Sequence, residues 1–238
     1  MRILTFIIVA ILQLSVPAAF AATWGYSETN GEQHWEQHGY KLCAIGKKQS
    51  PLNLQPKELA SNPITFTYHE DATFKLKPKG YNTSAYAVDP AADILELSGV
   101  SYSLQSFHFH TPSEHELNGQ HFVFEGHFIH QDKEGRFAVV GVFYKVGAAN
   151  PEFEKFLAAL PDGSATMDVS KFYPASKHYY AYTGSLTTPP CTEGLAWIVM
   201  NDPMEISAEQ LATFKQKVTK FNSRKTQPLR GRTVTQTR

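Results

Sequence analysis

The sequence predicts a mainly β protein with a few short helices, an α+β arrangement in a single domain. Three observations carry this expectation. Short segments rich in β-branched and aromatic residues recur along the chain, each bounded by Gly, Pro, Asn or Asp. Only two stretches carry convincing helix-start signals. No internal repeat, low-complexity tract or linker-like stretch divides the 238 residues.

Taken in order, the first 21 residues stand apart. Met1-Arg2 is a short basic start, Ile3 to Leu12 is apolar, and Ala19-Phe20-Ala21 is a small-x-small cleavage pattern. This predicts a signal peptide over 1–21, cleaved near Ala21/Ala22, and one domain over 22–238. Its apolar part is too short to span a bilayer, and no second run of spanning length follows. The expectation is a periplasmic or secreted protein with no membrane attachment once the leader is removed.

Strands are expected at 64–68, 74–77, 94–97 and 137–146. Asn82-Thr83-Ser84 has the form of a glycosylation acceptor, a weak signal outside a eukaryotic secretory pathway. Asn150-Pro151 supplies an N-cap and a first-turn proline for a helix over 152–160. Ser207-Ala208-Glu209-Gln210 is a capping-box pattern opening a second helix toward Val218. Lys215, Lys217 and Lys220 on that helix are expected to be a solvated face.

Lys and Arg total 22, as do Asp and Glu, so the balance gives no electrostatic case for nucleic acid. In an exported chain the only two cysteines, Cys43 and Cys191, suggest a disulfide, two buried free thiols being the alternative. The chain-entropy relation gives about 5 kcal/mol for so long a loop.

The segment 107–115 reads FHFHTPSEH. Residues two apart on a strand share a face, so His108 and His110 point one way and Phe107 and Phe109 the other. Asn118-Gly119 is a hairpin-turn signal, with a second strand expected over 121–130. If those two residues are the whole loop, paired positions sum to 237 and His110 faces His127, with Pro112 kinking the first strand. Three neutral imidazoles on rigid strands suit a zinc ion with one open tetrahedral position. Uncharged ligands leave the ion at +2, which favours ionising a bound water. Nickel or copper would also fit three imidazoles; abundance and tetrahedral preference favour zinc.

At this point the sequence resembles the alpha-class carbonic anhydrases, in particular the bacterial exported type. The landmarks run in family order across nearly the whole mature chain. They begin with Trp24-Gly25-Tyr26, His34-Trp35 and Gln49-Ser50-Pro51. Phe107-His108-Phe109-His110, Ser113-Glu114-His115, Glu125-Gly126-His127 and 141–147 follow. Gly184 to Pro190, Asn222-Ser223-Arg224 and Gln227-Pro228-Leu229 close the series. The resemblance implies a large twisted, mostly antiparallel central sheet with zinc at the base of a conical cleft. It implies reversible hydration of carbon dioxide to bicarbonate and a proton by zinc-bound hydroxide, weak ester hydrolysis, and inhibition by sulfonamides and anions, in a monomer or homodimer.

Residue by residue, the resemblance implies one Zn²⁺ per chain on His108, His110 and His127. Thr187 accepts from the reactive oxygen and donates to Glu114, and Thr188 contacts the bicarbonate. Ile129, Val139, Leu186, Leu195 and Trp197 form the apolar wall for carbon dioxide. Glu125 holds the outer nitrogen of His127, and the Asn222 carbonyl that of His110. His115 is a buried structural histidine near Glu114 and Tyr182, and His121 and His130 match no ligand position. Cys43 and Cys191 match the cysteine pair of bacterial members, and a bridge there anchors the threonine loop.

Two positions depart from the family pattern. Ser106 replaces the glutamine that precedes Phe-His-Phe-His, so the outer nitrogen of His108 is expected to reach water instead; neighbouring Gln105 is expected on the opposite face. Tyr81 occupies the proton-shuttle position of faster members, where a phenol relays protons badly near neutrality. A catalytically silent binding relative is the rival reading, and such relatives usually lose a zinc histidine or the threonine, all retained here. A zinc peptidase is disfavoured because no His-Glu-x-x-His run is present.

Overall fold

The alternation expected at 107–110 is present: Phe107 and Phe109 are fully buried in a hydrophobic core, while His108 between them is only partly buried. The structure is a computed structural model that describes residues 24–237 apart from 57, 61 and 62. The leader expected over 1–21 lies outside the described residues.

Seven strands and two helices build the region around the histidines. They are β1 (Ala72–Lys79), β2 (Asn82–Ala87), β3 (Val100–His110), β4 (Phe124–Gln131), β5 (Phe137–Val146), α1 (Pro151–Ala158), β6 (Tyr179–Ser185), β7 (Glu193–Met200) and α2 (Ala208–Lys217). A 13-stranded sheet has the main path Ser164–Met167, β1, β2, β3, β4, β5, β7, β6, Thr235–Thr237, Glu58–Ala60, with Ile64–Thr67, Ile94–Leu97 and Met204–Ile206 paired off that path. Most neighbours are antiparallel, as expected. The β5–β7 pair, the β5 pair with Met204–Ile206 and the outermost pair are parallel, which makes the sheet mixed.

Both helices begin where their caps predict. The Asn150 side chain accepts from the N–H groups of Glu152 and Phe153, and Ser207 and Gln210 form a reciprocal capping box. The first helix ends two residues earlier than expected, since Leu160 precedes Pro161 and is disfavoured in the α region. Phe109 stacks on Phe124 and meets Phe153 and Phe156 of α1 edge-on. The aromatic core therefore clamps β3 and β4 from one side, leaving the histidine face to the other. Truncating a ring so buried costs about 3–5 kcal/mol.

The hairpin register differs from the expectation in an informative way. Near the turn, Glu116 faces His121 and Leu117 faces Gln120, so those positions do sum to 237. Farther from the turn, Glu125 faces His110 and His127 faces His108. The first strand spends five residues, Thr111 to His115, where the second spends three, and the expected single strand over 121–130 is split. Pro112, which has no N–H for a ladder, lies in that excursion. The two-residue offset keeps side-chain parity, so His127 stays on the face of His108 and His110.

A second irregularity lies lower on the same pair. Ile129 faces Ser106 but His130 faces Leu104, so Gln105 is the extra residue of a bulge. Leu104 and Phe107 are buried while Gln105 and Ser106 are both partly exposed. Gln105 is thus not on the opposite face, as alternation predicts; the bulge turns both side chains to one side.

Candidate metal centre

His108, His110 and His127 each offer a ring nitrogen, and the three atoms lie within 4.8 Å of one another. Ring centroids are 4.5 Å apart for His110–His127, 4.9 Å for His108–His110 and 5.5 Å for His108–His127. Two strands suffice to position all three.

Hydrogen bonds settle which nitrogen of two rings is free to ligate. His110 Nδ1 donates to the Asn222 carbonyl at 2.8 Å, so its Nε2 carries the lone pair. That Nε2 is buried and has no hydrogen-bond partner. Asn222 is itself held, its side chain accepting from Thr111 N–H and donating to the Phe109 carbonyl. His127 is reversed: Nε2 donates to Glu125 Oε1 at 2.9 Å, leaving Nδ1 as the ligand atom.

Glu125 is the centre of the supporting network. Oε1 also accepts from His115 Nδ1 at 2.7 Å, and Oε2 accepts the backbone N–H groups of Glu114 and His115 at 2.8 and 2.9 Å. A Cβ at Gly141 would come within 3.1 Å of Oε1, so glycine there leaves the carboxylate its room. Burial alone raises the Glu125 pKa, but His115 and His127 outweigh it and hold the carboxyl well below its usual range. Burial likewise works against protonated His127, and Glu125 reverses it, so that pKa is raised. Burial lowers His110, and burial plus the other two imidazoles lowers His108 well below the ordinary value. Unprotonated rings are what a metal needs.

His115 Nε2 lies 2.6 Å from Tyr182 Oη, which lies 2.9 Å from Ser50 Oγ. The expected link of His115 to Tyr182 is therefore present, while its carboxylate partner is Glu125 rather than the side chain of Glu114. Glu114 is fully buried; Oε1 accepts from Arg224 N–H at 2.9 Å, and Oε2 has no hydrogen-bond partner and lies 3.8 Å from His127 Nδ1. The hydroxyl of Thr187 thus makes no hydrogen bond to that free oxygen. Among the described residues the His108 ring makes no hydrogen bond, in keeping with the short side chain of Ser106. Gln105, despite the bulge, donates to the Ser103 carbonyl instead.

A cavity of about 520 Å³ opens beside His108, with Gln105, Ser106, Ile129, Leu186 and Thr188 on its wall. Val139 stands across from Ile129 on one side and Trp197 on the other, and Leu195 joins them in one hydrophobic cluster. The five residues expected to form the apolar wall pack in one cluster, but only Ile129 and Leu186 of them line the cavity. Tyr81 does not line this cavity: its hydroxyl accepts from Asn30 at 3.4 Å, and its ring meets Tyr26 edge-on.

The threonine loop is closed by Leu186 N–H to the Thr192 carbonyl and Cys191 N–H to the Thr188 carbonyl. Cys191 is disulfide-bonded to Cys43, as expected. Sequence reasoning assigns Arg224 no role of its own. Its buried guanidinium donates to the carbonyls of Cys43 and Ser50 and to Gln49 Oε1, joining the disulfide to the Glu114 support. A lone basic residue in Asn222-Ser223-Arg224 carries no local signal for that role.

A mixed, mostly antiparallel sheet carries three converging imidazoles beside a cavity, a set of side chains that could hold a metal ion. The chain belongs to the eukaryotic-type (alpha) carbonic anhydrase family, whose family model matches residues 30–238. A carbonic anhydrase of Klebsiella pneumoniae is 35% identical over 236 residues, covering 94% of this chain and 96% of that protein. One of Neisseria gonorrhoeae is 31% identical over 239 residues, covering 94% of each. The solved alpha-carbonic anhydrase of Thermovibrio ammonificans, in complex with the inhibitor sulfanilamide, superposes with a TM-score of 0.81 at 40% identity, covering 90% of this chain and 98% of that one. The protein is accordingly an enzyme of the carbonic anhydrase type, a family that hydrates carbon dioxide.

Proposed function

We propose that this chain is an exported, zinc-dependent carbonic anhydrase that interconverts carbon dioxide and bicarbonate, with weak ester hydrolysis at the same site. The observation that carries the zinc assignment is the buried, partnerless His110 Nε2, within 4.8 Å of ligand atoms of His108 and His127. A buried polar atom seldom stands without a partner, and a cation fits the three neutral nitrogen donors.

Zinc, when bound, supplies Lewis acidity that makes water a usable nucleophile near neutral pH. The chain's own residues supply the rest. With zinc bound, Thr187 Oγ1 would accept a hydrogen bond from the attacking oxygen and donate its own proton to Glu114, whose Oε2 is left without a hydrogen-bond partner for a donor to reach. An ionised carboxylate only accepts, so the direction of the Thr187 proton is set and the oxygen's lone pair faces the substrate. Ile129, Val139, Leu186, Leu195 and Trp197 give nonpolar carbon dioxide a dry wall, and Thr188 receives the bicarbonate. The family's inhibitor chemistry, sulfanilamide on the Thermovibrio relative among it, extends to this site.

The leader over 1–21 and the domain over 22–238 remain part of this proposal, with a periplasmic or secreted location. The Cys43–Cys191 bridge supports it, since disulfides persist in oxidising compartments. Among the described residues no helix is long and apolar enough to cross a membrane. The test is a carbon dioxide hydration assay on protein whose zinc content is measured, with and without a sulfonamide. Zinc-loaded protein that hydrates no carbon dioxide overturns the reading.

A further inference from the structure

We propose that Lys75, Lys77 and Lys79 form an anion-steering track along the border of the cavity, drawing bicarbonate and other small monovalent anions toward the histidine cluster. The proposal rests on the carbonic anhydrase reading only in naming bicarbonate as the anion served. Along β1 the three lysines are exposed and alternate with buried Phe74 and Leu76, so they share one face. Directly opposite them on β2 stand Tyr86, Ser84 and Asn82. Directly opposed residues project to the same face of a sheet, and all three of those partners line the cavity. The row therefore borders the cavity along its length, with Lys79 itself on the wall.

Nothing on that wall cancels the charge. No carboxylate lines the cavity among the described residues, and Lys79 is its single formally charged side chain. On the outer side, the partner of Lys75 is Ser164, another uncharged group. Lys77 Nζ lies 5.6 Å from the centre of the Tyr86 ring, so its ammonium leans toward the wall. Because the chain's net charge is zero, this is a local potential. A cleft with charge of one sign and low-dielectric walls raises the local concentration of its counter-ion.

The test uses thiocyanate, a small anion with no proton to exchange, titrated calorimetrically into the zinc-loaded protein. Three forms are compared: the parent, a triple variant (Lys75→Gln, Lys77→Gln, Lys79→Gln) and the corresponding triple Lys→Arg variant. Melting temperatures check that each is folded, and zinc is counted in each. At about 10 mM ionic strength, where screening lengths reach roughly 30 Å, the glutamine variant should bind about 5- to 10-fold more weakly. In about 0.5 M sodium gluconate the difference should shrink to within about 2-fold, and the arginine variant should match the parent throughout. Equal affinity of zinc-loaded parent and glutamine variant at low salt overturns the track alone, as does an equal loss in the arginine variant. A parent that takes up no zinc and binds no thiocyanate overturns the histidine site, and the track with it.

Discussion

The Glu125 carboxylate lies 2.9 Å from His127 Nε2, and this bond decides which nitrogen of His127 is left to ligate. Three other donors crowd the same carboxylate, two of them backbone N–H groups on Oε2. Glu125→Gln keeps the shape but sets an amide N–H₂ against some of these donors. We expect zinc affinity to fall about 10- to 100-fold, measured by competition with a chromophoric chelator. Unchanged affinity would show that the His127 tautomer is held by something else.

Ser106→Gln tests the opposite direction. The His108 ring has no hydrogen bond among the described residues, so a longer amide at 106 can supply one. Zinc should bind more tightly, within the same factor of about 10 to 100. The same chelator competition reads it, and no gain would mean that the amide does not reach the ring.

Proton export should limit turnover. Among the described residues the cavity wall carries no histidine besides His108, and Tyr81 is turned to Asn30. Hydration rates should therefore rise with the concentration of a small buffer such as imidazole, and Tyr81→His should be faster in dilute buffer. A parent insensitive to buffer, with no gain from the histidine, would rule this limit out.

Acid stability should carry the mark of His130. Burial lowers its pKa to about 3, with Nδ1 donating to the Phe128 carbonyl and Nε2 2.8 Å from Tyr68 Oη. In the unfolded chain the ordinary value is about 6.5. Between those values the unfolded state binds the extra proton, so stability is full above about pH 6.5 and falls as pH drops, by up to about 1.4 kcal/mol per pH unit. Urea unfolding from pH 6.5 to 4 should give a shallower pH slope for His130→Phe than for the parent. Parallel slopes would contradict a neutral buried His130.

Reducing the Cys43–Cys191 bridge, or replacing it by Cys43→Ser with Cys191→Ser, should lower stability by up to about 5 kcal/mol for its long loop. Because Arg224 links the Cys43 carbonyl to the backbone that supports Glu114, hydration activity should fall below the melting transition as well. Activity unchanged by reduction would separate the bridge from the site.

Local patterns are legible where local chemistry decides them. Asn150 and Ser207 mark their helices because capping is a matter of a few residues. Phe-His-Phe-His reads as a two-faced strand because its period is two. The partner of His127 is displaced from the expected one because Thr111 to His115 form an excursion that the turn signal at Asn118-Gly119 does not report. Alternation puts Gln105 on the wrong face because a bulge breaks it without a glycine or proline to announce the break. Arg224 escapes a sequence reading because its partners lie 174 to 181 residues away, beyond any periodic signal.

The most direct measurement is stopped-flow hydration of carbon dioxide by one preparation as purified, stripped with a chelator and reloaded with zinc, beside His127→Ala. Activity should vanish on stripping, return with about one zinc per chain, and stay absent in the variant. Stripped protein or His127→Ala protein that hydrates carbon dioxide at the parent rate would contradict a zinc site on these three histidines.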